Sequence, residues 1–240
     1  MVLKVGQNKD ILVIFHAECP DGFGSAYSAW KKFGDSADYF PAFYDTEPPE
    51  VAGKDVYIID YSYTKEKLSE IKKSARRLTM IDHHKSNEDL LKIADEFVFD
   101  INHSASVLSW NFFNPDKDIP KFLLYVEEGD LWSFKLPHSK EVAAFIDDLR
   151  RDFHLWDSVI SEFENREKRD VFVKKGEDII REIREFVFEK VSSAREVIFE
   201  GYKTLIVNSE RYSSEIGNIL SKKLPPIGLI WKRENDKISV

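Results

Sequence analysis

The alternation of short apolar segments with helical segments is the feature that most constrains how this 240-residue chain can fold. Ile11 to His16, Asp55 to Asp60 and Arg77 to Asp82 are short, mainly aliphatic runs, and each ends in a histidine or an aspartate. Apolar residues at helical spacing follow each run. Further short strands are predicted near Phe40 and Phe99. Because strands that alternate with helices pair in parallel, the pattern predicts an α/β fold with a parallel sheet covered on both faces.

The pattern becomes helical after about residue 119 and includes a long charged stretch at residues 163–196. A strand at 202–208, a helix and another strand follow, and the last residues, DKISV, look like the opening of a further strand. The sequence therefore predicts a parallel-sheet domain at residues 1–140, a helical connector at 141–200 and a small, incomplete α/β second domain at 201–240. A chain that stops inside a strand indicates either truncation or a shortened second domain.

Composition narrows the classes of function. A net charge of -8 and a pI near 5.4 argue against sequence-independent binding of long duplex nucleic acid. Cys19 is the only cysteine, so no intrachain disulfide can form, which fits a reducing cytosol. Apolar runs are shorter than the roughly 18 residues that a membrane span needs, and the N-terminus is unlike a signal peptide. We therefore expect a soluble, cytoplasmic protein, with a homodimer left open.

Acids and histidines stand at the ends of three predicted strands. His16 ends the first, Asp60 ends the second, and Asp82, His83 and His84 end the third. Carboxyl ends of parallel strands meet at one edge of a sheet, so these groups should lie together. Carboxylates and imidazoles suit Mn²⁺, with Mg²⁺ or Zn²⁺ as alternatives. A lone aspartate there is more often a helix cap, but two adjacent histidines seldom serve packing.

Five motifs, in order, resemble the DHH phosphoesterase superfamily. They are HAECPDGFGSA, IIDYSY, the Asp82-His83-His84 triplet, NHSASVLSW and EEGDLW. The resemblance covers roughly residues 16–132 and is greatest to the small DHH proteins with a Cys-Pro-Asp-Gly first motif. SSEIGN, at residues 213–218, resembles the start of the DHH-associated second domain.

The resemblance implies a site for two Mn²⁺ ions, with Mg²⁺ as the alternative metal. Asp60 would be the carboxylate that bridges the ions. Asp21, His83 and Asp130 would complete the coordination of one metal ion, and His16 would help to hold the other.

The same resemblance assigns roles next to the metals. Asp82 would accept a hydrogen bond that orients an imidazole, and His84 would point at the substrate phosphate. His103 and Ser104 would contact the phosphate, although Ser104 also reads as a helix cap. Trp132 is expected to pack in the core or between lobes, with base stacking as the alternative.

Three departures from the family pattern stand out. Cys19 occupies a position where the wider superfamily more often has an aspartate, so either Cys19 binds metal or that metal is held more weakly. Gly129 stands where this branch often has an arginine. Family members usually continue to a glycine-rich segment with a histidine that grips the substrate, and we find no such segment before Val240.

The implied activity is two-metal hydrolysis of the phosphodiester bonds of short oligonucleotides or cyclic dinucleotides. Hydrolysis of pyrophosphate or polyphosphate is the next alternative. The remaining alternative is a non-catalytic nucleotide-binding or scaffold protein that keeps the DHH fold with a weakened site.

Overall fold

A computed structural model describes residues 9–234 and 237–239 of the chain. The chain forms two compact units, which divide between Gly176 and Glu177. Among the described residues, no helix combines the length with the apolar character that crossing a membrane requires.

The first unit is built on a five-stranded parallel sheet, which confirms the predicted α/β fold. The strand order is β2-β1-β3-β4-β5. The strands are β1 (Ile11–His16), β2 (Ala37–Ala42), β3 (Asp55–Ile59), β4 (Arg77–Asp82) and β5 (Glu96–Phe99). The helices are α1 (Pro20–Phe33), α2 (Lys65–Ser74), α3 (Glu88–Leu91), α4 (Ala105–Phe113), α5 (Lys121–Asp130), α6 (Ser139–Asp148) and α7 (Phe153–Phe163). A longer helix, α8 (Arg166–Ser192), runs across the division between the units.

Apolar side chains bury both faces of this sheet. On one face, Ile14 of β1 packs in a cluster with Leu68 of α2. On the other, Val13 packs with Leu108 of α4. Because Phe15, at the end of β1, is level with the last residue of β3, the ends of β1, β3 and β4 form one edge of the sheet. The residues that follow these strands therefore emerge side by side.

Helices α6, α7 and the first part of α8 belong to the core of the first unit. Trp156 of α7 packs against Phe23 of α1, and Phe145 of α6 stacks on Phe172 of α8 at 4.9 Å between ring centroids. The chain is thus divided differently from the boundaries predicted at residues 140 and 200. The predicted connector was inferred from charge density, whereas aromatic residues give each helix an apolar face that packs on the core.

The second unit has a four-stranded sheet in the order β6-β7-β8-β9. Its elements after α8 are β6 (Arg195–Phe199), β7 (Tyr202–Asn208), α9 (Ser213–Lys223), β8 (Gly228–Glu234) and β9 (Lys237–Ser239). Strands β7 and β8 are parallel, and the two outer pairs are antiparallel. The predicted final strand is found at β9, while Asp236 and Val240 lie outside the described residues.

Strand β6 was not predicted, because the charged stretch was expected to stay helical as far as Glu196. Four of its five residues are exposed, so the strand lacks the alternation of apolar and polar residues that marks a half-buried strand.

Gly176 in α8 generates a prediction about stability. A Cβ at this position would lie 1.8 Å from the backbone oxygen of Glu141 in α6, so the two helix backbones approach too closely for any other residue. We expect Gly176→Ala to lower the free energy of unfolding by about 1 to 3 kcal/mol, as overpacking does. Urea denaturation followed by tryptophan fluorescence measures this, since Trp231 alone of the five tryptophans lies in the second unit.

Gly129→Ala is the matched control, because a Cβ at this helical position meets only the Ala143 side chain at 3.4 Å. It should leave the stability unchanged or raise it slightly. Equal effects of the two substitutions would contradict the close approach.

Candidate metal centre

The turn from β1 into α1 brings His16 and Asp21 together. The Cys19 side chain caps the helix, with its sulfur accepting a hydrogen bond from the backbone N–H of Gly22 at 3.3 Å. A Cβ at Gly22 would lie 2.1 Å from the backbone oxygen of His16, so only glycine allows this approach. The glycine of the Cys-Pro-Asp-Gly motif thus holds the start of the helix against the strand end.

Asp60 follows β3 with a left-handed backbone. Its φ angle is +55°, which is uncommon for a residue other than glycine and costs on the order of 1 kcal/mol. Its N–H donates to the backbone oxygen of Ile81 on the neighbouring strand at 2.9 Å, which fixes the strained turn. The Asp60 side chain is directed into a buried position, with 1% of its surface exposed. Strain of this kind is often found at functional sites.

Asp82 organises the loop after β4. Its Oδ1 accepts hydrogen bonds from the backbone N–H groups of His83 (2.7 Å) and His84 (2.9 Å). The same oxygen lies 2.8 Å from Nδ1 of His84, and Oδ2 accepts from the Asn87 amide at 2.7 Å. These bonds hold the backbone in a turn, so the helix predicted from His83 onward is reduced to the short α3.

Asp21 is anchored by the first turn of α4. Its two carboxylate oxygens accept hydrogen bonds from the backbone N–H groups of Ala105 (2.8 Å) and Ser106 (2.9 Å). A helix N-terminus favours negative charge, so α4 stabilises a buried carboxylate beside the site.

His83 lies at the centre of one group of potential ligands. Its Nε2 is 3.4 Å from Oδ2 of Asp130 and 3.8 Å from Oδ2 of Asp21. It is also 3.7 Å from Oδ1 of Asp60. Asp21, His83 and Asp130 offer ligand atoms that all lie within 4.8 Å of one another. These are the three residues predicted to complete one metal.

A second group lies on the other side of Asp60. Nδ1 of His16 is 3.6 Å from Oδ2 of Asp60, and the Cys19 thiol donates a hydrogen bond to the same oxygen at 3.3 Å. His16, Cys19 and Asp60 also offer ligand atoms within 4.8 Å of one another. Asp60 therefore directs Oδ1 toward His83 and Oδ2 toward His16, as a bridging carboxylate must.

Three polar atoms of this cluster are buried without a hydrogen-bond partner among the described residues. They are Nε2 of His16, Oδ1 of Asp60 and Nε2 of His83. A buried polar atom without a partner costs on the order of 1 to 3 kcal/mol. Metal ions would satisfy such atoms, and two imidazoles with several carboxylates are a suitable ligand set for Mn²⁺. The residues of the cluster therefore fit the predicted Mn²⁺ ions.

Burial shifts the ionisation of the ligand candidates. It raises the pKa of Asp60 well above its usual range, and the carboxylates of Asp21 and Asp82 raise it further. Burial also lowers the pKa of His16 and of His83, which leaves both imidazoles neutral at pH 7. Neutral imidazoles are the form that binds metal. The protein thus buries the Asp60 carboxylate at a place where a bound cation would compensate its charge.

His84 and Cys19 differ from these ligand candidates. The hydrogen bond to Asp82 raises the pKa of His84 to about 9, so this half-exposed imidazole is cationic at neutral pH. Burial raises the pKa of the Cys19 thiol, and the nearby Asp60 carboxylate adds to the effect. Without a metal, Cys19 is therefore a thiol that donates to Asp60. His84 also has its Nδ1 within 3.6 Å of Oδ1 of Asp60, which leaves it next to the ligands.

The two remaining predicted residues lie at the start of α4. The His103 imidazole is exposed, with Nδ1 3.1 Å from Oε2 of Glu127. Ser104 is completely buried, and its hydroxyl caps α4 by accepting from the N–H of Val107. The hydroxyl therefore has no access to a phosphate, so the structure favours the cap over the phosphate contact for Ser104.

Sequence reasoning missed Glu127 and Asn87. Glu127 accepts from the backbone N–H of Ser104 at 2.9 Å and so fixes the loop before α4. It precedes Asp130 by three residues on α5, a spacing that places both on one helix face and could have indicated its role. Asn87 supports Asp82 from within a turn, and no spacing rule marks it.

Comparison with known proteins gives a fold but no activity. No family model matches the chain. An uncharacterized protein of Acanthamoeba polyphaga mimivirus is 27% identical over an alignment of 243 residues that covers 91% of this chain and 56% of that protein. The chain thus spans about half the length of this curated relative. An uncharacterized protein from Helicobacter pylori G27 has a similar structure, with a TM-score of 0.55 and 13% identity over 90% of this chain and 80% of that one, which shows a shared fold.

The ionisation of Asp60 predicts an unusual pH dependence of stability. Because its pKa is higher in the folded than in the unfolded chain, the carboxyl group increasingly destabilises the metal-free fold as the pH rises above about 4. We expect Asp60→Asn to raise the free energy of unfolding of the metal-free protein at pH 7, because asparagine carries no charge to bury. Asparagine also tolerates the left-handed backbone.

Urea denaturation in the presence of a chelator, at several pH values between 4 and 8, measures the free energy of unfolding of both proteins. The difference between Asp60→Asn and wild type should shrink as the pH falls toward 4. A surface control, Asp116→Asn, should change nothing at either pH. A difference between the two proteins that does not change with pH would contradict the raised pKa of Asp60.

Proposed function

We propose that the first unit is a metal-dependent phosphoesterase of the DHH type. The observation that carries the proposal is the position of Asp60, whose two oxygens face two separate groups of potential ligands. Two-metal phosphoesterases need a carboxylate so placed, because it fixes the separation of the ions. The match with the five sequence motifs supports the same reading.

Each ion would have its own ligands beside the shared Asp60. Asp21, His83 and Asp130 would hold one ion, and His16, with Cys19 next to it, would hold the other. Mn²⁺ is the metal we favour, with Mg²⁺ as the alternative, because oxygen and imidazole donors predominate. When bound, two such ions supply Lewis-acid activation of a water and stabilise the charge that develops on a phosphoryl group.

The residues of the chain would position the substrate. His84 is cationic and half exposed, so it can contact a phosphate oxygen, while Asp82 fixes the orientation of its ring. A charge-assisted contact of this kind favours a phosphate that gains negative charge during the reaction. The exposed His103, oriented by Glu127, is a further candidate for phosphate contact.

The preferred substrates are short oligonucleotides or cyclic dinucleotides, and a cytoplasmic location fits the free thiol of Cys19 beside the site. Hydrolysis of pyrophosphate or polyphosphate uses the same ligands and remains the alternative. The remaining alternative is a nucleotide-binding or scaffold protein that has the same fold and does not catalyse hydrolysis.

Metal binding is the first test. We expect wild-type protein to bind two Mn²⁺ per chain in isothermal titration calorimetry, and Asp60→Ala to lose both because the bridge is shared. His83→Ala should lose one ion, and Asp116→Ala, a surface control, should behave as wild type. Tight binding that survives Asp60→Ala would refute the two-metal site.

Turnover of a panel then separates the alternatives. The panel comprises a dinucleotide, a cyclic dinucleotide, pyrophosphate and an aryl phosphodiester, each with added Mn²⁺. Hydrolysis of the diesters that is lost in Asp60→Ala supports the proposed class. Hydrolysis of pyrophosphate alone would select the alternative, and metal binding without any turnover would indicate a binding protein.

His84 yields a separate prediction. If it contacts phosphate, His84→Ala should lower kcat/KM for a phosphodiester by about 10²- to 10³-fold, the range for removing one donor that stabilises developing charge. The number of bound Mn²⁺ should stay at the wild-type value. Loss of an ion in this variant would instead make His84 a ligand, which its distance to Asp60 also allows.

A further inference from the structure

Two large aromatic side chains are exposed near the ligand candidates, one close to His16 in space and the other two residues after Asp130 in the sequence. Tyr44 is 81% exposed and Trp132 is 80% exposed. An exposed aromatic residue is unremarkable by itself, since proteins expose many apolar atoms. The positions of Tyr44 and Trp132, and the backbone conformations that hold them, indicate a role in binding.

Tyr44 stands beside the ligand group of His16, Cys19 and Asp60. It follows β2, and its ring centroid lies 6.2 Å from that of His16. The loop is fixed in place, because the hydroxyl of Tyr61 donates to the backbone oxygen of Phe43 at 2.8 Å. The N–H of Phe43 also donates to the hydroxyl of Thr46 at 2.9 Å. The ring is thus presented by an ordered turn.

Trp132 lies close in sequence to the other ligand group, that of Asp21, His83 and Asp130. It lies two residues after Asp130, with a left-handed φ angle of +52° that a side chain of this size rarely adopts. Phe134, edge-on to it at 5.7 Å, is left-handed too, at +46°. Packing does not account for this backbone, because the indole is not in the core, contrary to the expectation from sequence. Trp110, by contrast, is buried in the core.

One exposed ring therefore accompanies each of the two ligand groups. Building on the proposed function, we propose that the substrate is a phosphodiester with a nucleobase on each side of the scissile phosphate, and that Tyr44 and Trp132 stack on those bases. Stacking on aromatic side chains is the usual way to hold bases without reading their sequence. Pyrophosphate and polyphosphate have no ring to stack, so this arrangement favours dinucleotides over them.

The test measures binding and does not require turnover. The probe is a linear adenine dinucleotide whose bridging phosphate is replaced by a methylene phosphonate, together with its two analogues that each lack one base. Affinities are measured by calorimetry with Mn²⁺ for wild type, Tyr44→Ala and Trp132→Ala. Phe188→Ala is the control, since Phe188 is 73% exposed in the second unit.

We expect each site variant to bind the dinucleotide about 5- to 150-fold more weakly than wild type, the range for one stacked base. Each should bind one of the two single-base analogues as tightly as wild type does, because the lost ring and the missing base belong to one contact. Phe188→Ala should bind all probes as wild type does.

Three results would overturn the inference. They are failure of wild type to bind the dinucleotide, equal affinity of wild type for the dinucleotide and both analogues, and an equal loss for all three ligands in the variants. Failure of the proposed function is a different result, namely no Mn²⁺-dependent hydrolysis by wild type while base-dependent binding persists.

Discussion

The rest of the site depends on one constraint, the enclosure of three carboxylates at a single edge of a parallel sheet. Asp21, Asp60 and Asp82 are all buried, and burial together with the other two carboxylates raises the pKa of Asp60. Two of them are compensated by N–H groups, Asp21 by the start of α4 and Asp82 by its own loop. Among the described residues, one oxygen of Asp60 has no hydrogen-bond partner. Backbone N–H groups thus fix Asp21 and Asp82 in position, while Asp60 keeps an oxygen open to a ligand.

Backbone geometry supports that arrangement at some cost. The left-handed turn at Asp60 and the close approach at Gly22 each require a residue or conformation that ordinary strand-to-helix connections do not need. Packing on both faces of the sheet supplies the stability that maintains such turns. The site is therefore strained locally within a well-packed unit, an arrangement common where function opposes stability.

The sequence predicted the parts of the structure that follow from periodicity. The strands that end in His16, Asp60 and Asp82 were predicted because buried parallel strands are short and apolar, and their alignment followed from parallel pairing. The role of α6 and α7 was not predicted, because their charged outer faces conceal inward aromatic residues such as Trp156. Asn87 also escaped notice, since its contact with Asp82 depends on a turn that only the folded backbone defines.

Asp21 is bound at the same time to helix α4 and to the ligand group around His83. Helices α1 and α4 are in turn locked together, since the Asn114 amide donates to the backbone oxygen of Ser28 and a Cβ at Gly24 would meet Ser106 at 3.0 Å. A slight shift between these helices would move a ligand atom. In the proposed site, metal affinity would therefore be partly a property of the helix interface, and residues far from the ligands would tune it.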